Sequence, residues 1–142
     1  MITYSQLNAN IRDKINALPI HWAFSKSQFN EELQEMGLTE NDKDKLCTAP
    51  GGGFCLKTDL KHILDTLAET TLELDEALKD DDFCVDAIVY ELENHEYCYT
   101  GDATDTLECL GLDENDARVK RLLDKAKKLC WNRSKERNKI NF

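Results

Sequence analysis

Apolar residues along this chain recur mostly at intervals of three and four, the spacing of one face of an α-helix. Leu7, Ile11, Ile15 and Leu18 form the first stripe, with Thr3 and Gln6 ahead of it at capping-box spacing and Pro19 closing it. Ser25 and Gln28 repeat the box before Phe29, Leu33 and Met36, and Gly37 ends that helix. The longest stripe, Leu60, Ile63, Leu64, Leu67, Leu74 and Leu78, predicts a helix over 59–79, capped by Thr58 or Asp59. "DDDFCVDAIVYEL" opens another helix, capped within Asp80–Asp82, and it is apolar nearly all round, which places it at the centre of the core. A short helix over 103–110 and a long one near 114–130 come next, and the last dozen residues are expected to fray after Trp131.

Two stretches punctuate this pattern. "MGLTENDKDKL" (36–46) and "LGLDENDARVK" (110–120) echo each other. In each, a glycine can turn left-handed after one helix while the next leucine folds back, leaving Thr39 or Asp113 to cap the next helix. "TAPGGGFCLKTDL" (48–60) is the main break: Pro50 and three glycines form a turn, and Phe54 to Lys57 is short enough for an isolated strand. The expected fold is therefore all-α. It is a compact single-domain bundle of six or seven helices over 1–130, with at most one minor strand or hairpin near 54–57 and a basic tail over 131–142.

Composition supports a globular chain. Of 142 residues, 41% are hydrophobic and 32% charged, and no apolar run approaches the ~20 residues that span a bilayer. The first twenty residues lack the basic and apolar blocks of a secretion signal, so a cytoplasmic location is expected, with no membrane partner. Six cysteines, at 47, 55, 84, 98, 109 and 130, include no C-x-x-C pair and are read as free thiols. The net charge of −10 is polarised: residues 1–116 hold 8 Lys and Arg against 26 Asp and Glu, whereas residues 117–142 hold 10 against two. Such asymmetry points to a charged partner.

"HEYCYTGD" (95–102) concentrates the chemistry-bearing residue types. His95 and Cys98 have one ligand-pair spacing and Asp102 could be a third ligand, but His21 and His62 stand far off in sequence, so no metal or cofactor is assigned. A Cys98 nucleophile with His95 as base lacks a third group to orient the histidine. The same residues read more fully as a corner: Asn94 and His95 end a helix, Tyr97 and Tyr99 alternate on a short extended piece, Thr100-Gly101 turns, and Asp102 caps the next helix. No catalytic residue is assigned, and a Cys/His or metal-dependent enzyme at 95–102 ranks last among the functional readings. The Pro50 to Gly53 run lacks the Lys-Ser/Thr ending of a phosphate loop.

Two charged faces remain. Asp65, Glu69, Glu73, Glu76 and Asp80 fall at spacings of 4, 4, 3 and 4 and so share a helix face. They extend over ~22 Å, about one carboxylate every 5–6 Å, against one phosphate per ~3.4 Å along a DNA strand. The row resembles a sparse, one-sided line of phosphates. Arg118, Arg121, Lys125 and Lys128 form a basic face on the last long helix, with Arg133, Lys135, Arg137 and Lys139 beyond it, and could meet nucleic acid.

Ala23-Phe24…Gln28-Phe29, Gly52-Gly53-Phe54…Lys57-Thr58-Asp59-Leu60 and the run from Tyr90-Glu91-Leu92 through Asn94-His95-Glu96-Tyr97, Tyr99-Thr100-Gly101-Asp102 and Thr104-Asp105-Thr106-Leu107 to Leu110-Gly111-Leu112 carry a resemblance. The chain resembles a group of small uncharacterised proteins of tailed phages and prophages of gut bacteria, over roughly residues 20–130 and most strongly over 90–112; the basic tail lies outside it. The resemblance implies no catalytic residues. It implies a phage accessory protein in a bacterial cytoplasm, and small acidic proteins in that setting frequently act by blocking a host enzyme. The expected function is thus non-enzymatic: binding and inhibition of a host protein, on the pattern of an anti-CRISPR or other anti-defence inhibitor, by an acidic nucleic-acid-mimicking face. The expected partner is a defence nuclease with a basic channel. The alternative is direct nucleic-acid association through the basic helix and tail, and a second copy of the chain is a further candidate partner.

Overall fold

The computed structural model describes residues 2–137. Seven α-helices, two short 3₁₀ turns and one hairpin succeed one another among them, so the chain is all-α with a minor β element. It packs as two units, residues 2–10 with 73–137, and residues 11–72.

In the larger unit, helix α4 (Asp81–Asn94) lies at the centre. Asp80 caps it by accepting from the Phe83 amide at 2.8 Å. Phe83, Cys84, Val85, Ala87, Ile88, Val89, Glu91 and Leu92 are all buried, as a helix apolar on every side requires. Helices α6 (Thr104–Leu110) and α7 (Ala117–Arg137) pack on it, burying Thr106, Leu107 and Leu110 from α6, and Val119, Leu122, Ala126 and Cys130 from α7. The start of α1 (Tyr4–Asn16) joins this core through Tyr4, whose ring meets Phe83 and Tyr90 edge-on at centroid distances of 6.1 and 5.3 Å. The Thr3–Gln6 box is formed, with both reciprocal hydrogen bonds, at 2.9 and 3.2 Å.

In the smaller unit, Leu18, Ala49, Cys55 and Ile63 form the core, with Ile20, Cys47, Leu60 and Leu67 around them. Phe54 does not form an isolated strand. Strand β2 (Phe54–Leu56) pairs antiparallel with β1 (Leu46–Thr48), setting Cys47 opposite Cys55, and His21 bridges to the other edge of Phe54. The glycine run explains the pairing. Gly51 and Gly52 turn at φ of +89° and +98°, and a Cβ on Gly53 would stand 2.7 Å from the His21 carbonyl oxygen and 2.9 Å from Ile20 Cγ2. Only glycine lets the 20–22 segment come that close. Helix α2 (Lys26–Glu35) is capped by Ser25, which accepts from the Gln28 amide, and Gln28 Oε1 in turn accepts from the Phe24 amide.

The sequence echo proves to be one local solution used twice. Gly37 donates to Gln34 O and Leu38 to Leu33 O; Gly111 donates to Glu108 O and Leu112 to Leu107 O. Both sets are the paired bonds of a Schellman motif, with the glycines at φ of +73° and +66°. Beyond the two glycines the copies diverge. Thr39 leads into a 3₁₀ segment, Glu40–Lys45, not into an α-helix. Asp113 closes its own small turn on the Asn115 amide, and Asp116 caps α7 through the Val119 amide.

Other expectations need correction. Residues Lys57–Asp59 form a 3₁₀ turn that runs into α3 (Leu60–Ala77), so neither Thr58 nor Asp59 is its N-cap. Ile15 and Leu64 lie on the predicted apolar stripes yet are 37% and 48% exposed, because both stripes are wider than the core they face. Tyr97 and Tyr99 belong to a single helical turn, α5 (Tyr97–Thr100), entered through Glu96 at φ +56° and left through Gly101. Helix α7 does not fray after Trp131 but runs to Arg137; Lys135 lies over the Trp131 ring, and Arg133 and Arg137 approach Glu93. The rest of the expected tail, including Lys139, lies outside the described residues. No helix among those residues is long and apolar enough to cross a membrane.

Candidate functional site

The five carboxylates of the acidic row keep their places along α3 and its C-terminal turn. Asp65, Glu69, Glu76 and Asp80 are exposed and Glu73 is half-buried. Their charge is less bare than the sequence implies. Lys61 Nζ pairs with Asp65 at 2.7 Å and Lys79 Nζ with Glu76 at 2.7 Å, while Asp80 is occupied in capping α4. Both pairs are at helical i,i+4 or i,i+3 spacing with largely exposed side chains, so water and salt screen them and they hold the carboxylates only weakly. Asp81 and Asp82 add two further exposed carboxylates at the start of α4.

The basic face fares differently. Arg118 Nε donates to Asp81 at 2.8 Å, and its Nη2 donates to the carbonyl oxygens of Leu78 and Lys79 at 2.8 and 2.9 Å. It thereby closes the C-terminal end of α3, where unpaired carbonyls favour a cation. Arg121 Nη2 reaches the other Asp81 oxygen at 3.3 Å. Two of the four cations therefore serve the fold; Lys125 and Lys128 remain exposed. The signal for this role was weak in sequence, because it depends on two carbonyls 39 and 40 residues away.

His95, Cys98 and Asp102 do not converge. His95 ends α4 with Nδ1 at 2.8 Å from the Glu91 carbonyl oxygen. Asp102 accepts from the Thr104 amide and hydroxyl at 2.9 and 2.6 Å; these bonds hold its carboxyl below the usual carboxylate range, and Ala103 stands at the cap position of α6. Cys98 turns to α7, its Sγ 3.7 Å from that of Cys130. Among the described residues, no three His, Cys, Asp or Glu side chains form a group that could hold a metal ion.

One polar cluster went unread in the sequence. Glu91, 4% exposed, accepts from the Tyr4 hydroxyl at 2.9 Å and from the Cys109 thiol at 3.4 Å, and its carboxylate lies 3.6 Å from His95 Nδ1. Burial and the Glu91 charge push the Tyr4 phenol well above its ordinary value and raise the Cys109 thiol too. The amphipathic pattern marks Glu91 only as a polar residue in an apolar helix; its partners are 87 and 18 residues away. These contacts pin the chain's start to the central helix, a structural task.

The arrangement thus defines a small helical protein with one acidic helix face and a basic helix partly committed to its own fold. The chain belongs to a family of unknown function, DUF7659, whose model matches residues 3–130. No curated protein and no solved structure matches it.

Proposed function

We propose that this is a non-enzymatic accessory protein, of phage or prophage origin, that binds a basic surface of a host protein through the acidic face of α3. The partner class is a nucleic-acid enzyme of host defence, whose phosphate-binding channel the carboxylates would occupy. The observation that supports this reading is the row Asp65, Glu69 and Glu76, exposed on α3, where Asp65 and Glu76 pair only with exposed, screened lysines. A basic channel can displace Lys61 and Lys79 at small cost, since both pairs are largely exposed and screened by water and salt. The nucleic-acid alternative loses support because Arg118 is engaged with Asp81 and with the carbonyls of Leu78 and Lys79.

The test is capture from bacterial lysate with tagged full-length chain, read by quantitative mass spectrometry. The comparison is a variant carrying Asp65→Asn, Glu69→Gln, Glu73→Gln and Glu76→Gln, with circular dichroism confirming its fold. A nucleic-acid enzyme enriched by the native chain and at least tenfold depleted with the variant is expected. Equal capture by both chains overturns the acidic-face reading.

A further inference from the structure

Six free thiols are distributed unevenly: Cys98 and Cys130 approach to 3.7 Å, as do Cys47 and Cys55, whereas Cys84 and Cys109 have no thiol neighbour. The first pair is separated by 32 residues and joins α5 to α7. It lies at a hollow of about 80 Å³ whose other lining residues include Glu93, Glu96, Tyr97 and Arg137. Cys98 is half-buried at this hollow, while Cys130 lies behind it, 1% exposed. An accessible thiol with a second thiol directly behind it is the arrangement by which redox-sensing cysteines work.

We propose that Cys98 and Cys130 form a peroxide-modified dithiol site, Cys98 as the attacking thiol and Cys130 as the resolving one. The Cys98 thiolate attacks one oxygen of hydrogen peroxide and the O–O bond breaks. Hydroxide leaves, is protonated to water, and Cys98 becomes a sulfenic acid. The Cys130 thiolate then attacks the Cys98 sulfur, the S–O bond breaks, and a second water leaves. Two thiols lose two electrons and two protons, and one peroxide is reduced to two waters. The order of roles follows from access: Cys130 is sealed in the core, and burial together with the neighbouring Cys98 pushes its thiol up to about 11. The product ties α5, a single turn flanked by two left-handed residues, Glu96 and Gly101, to the longest helix of the chain. Closing so long a loop restricts the unfolded chain, so the oxidised protein should unfold at a temperature higher by roughly 5–10 °C.

The test treats the reduced full-length chain with hydrogen peroxide, blocks remaining thiols with iodoacetamide and maps the peptides by mass spectrometry. Expected is a peptide joining residues 98 and 130, lighter by two hydrogens and released by dithiothreitol. Cys130→Ala, a small change at the buried position, should abolish the link and leave a Cys98 sulfenic acid that dimedone traps. Cys98→Ser should leave Cys130 a thiol. The proposal is overturned if the native chain links only Cys47 to Cys55. It is equally overturned if Cys98 proceeds to sulfinic acid while Cys130 stays free, or if both thiols survive excess peroxide.

Discussion

At the residue scale, the buried carboxylate of Glu91 shows how a single polar group is made tolerable inside a helical core. A buried charge left unpaired is costly, so the Tyr4 hydroxyl and the Cys109 thiol supply donors where water cannot. Tyr4→Phe keeps the ring packing against Phe83 and Tyr90 but removes one donor, and urea unfolding should show a loss of about 2 kcal/mol. The same residue carries a pH signature. Its phenol is raised in the folded state, so its contribution is fully present below the unfolded value of about 10 and is lost as pH rises past it. Stability of the native chain should fall above about pH 10 with an added slope of up to ~1.4 kcal/mol per pH unit, and Tyr4→Phe should lack that component. Glycine offers a second contrast. Gly53→Ala drives a Cβ into backbone at 2.7 Å, whereas a Cβ on Gly52 meets open space and suffers only its positive φ. Denaturation should rank Gly53→Ala as the more damaging, at about 2–3 kcal/mol against about 1 kcal/mol for Gly52→Ala.

At the element scale, the helix ends follow short-range rules and the joins between elements do not. Thr3, Ser25 and Asp80 cap where their spacing places them, and Gly37 and Gly111 close helices in the same way, because each of these bonds spans five residues or fewer. Arg118 reaches across from α7 to the carbonyls of Leu78 and Lys79, in the turn that follows α3. Arg118→Ala should cost about 2 kcal/mol by chemical denaturation, and Arg118→Lys should restore little of it, because an ammonium cannot match the fork that holds Asp81 and two carbonyls together. A basic helical stripe in a sequence is therefore ambiguous until the carbonyls and carboxylates near it are known. The mismatch between predicted and observed ends of α7 has the same root: its last turns are favoured by Glu93, which belongs to α4.

At the scale of the whole molecule, charge is the property with the widest consequences. A chain with a net charge of −10 repels acidic surfaces and attracts basic ones, and its acidic row lies on the longest helix before α7. If α3 engages a basic channel, raising the salt from ~0.05 to ~0.5 M should weaken the complex about tenfold or more, mostly through slower association. Surface plasmon resonance with the captured partner measures this, and an affinity indifferent to salt would point to an apolar interface.

Residue spacing alone carried the helical character of the chain, the order of its helices apart from the α5 turn, the Thr3 and Ser25 caps, the glycine stops and the polarised charge. All of these rest on interactions within a turn or two of chain, which residue spacing encodes directly. Tertiary structure decided the pairing of Leu46–Thr48 with Phe54–Leu56, the partners of Glu91, the engagement of Arg118 with α3 and the meeting of Cys98 with Cys130. Each joins residues whose approach depends on how helices pack and where the chain doubles back. That geometry reflects the burial of the whole core, and no local spacing carries it.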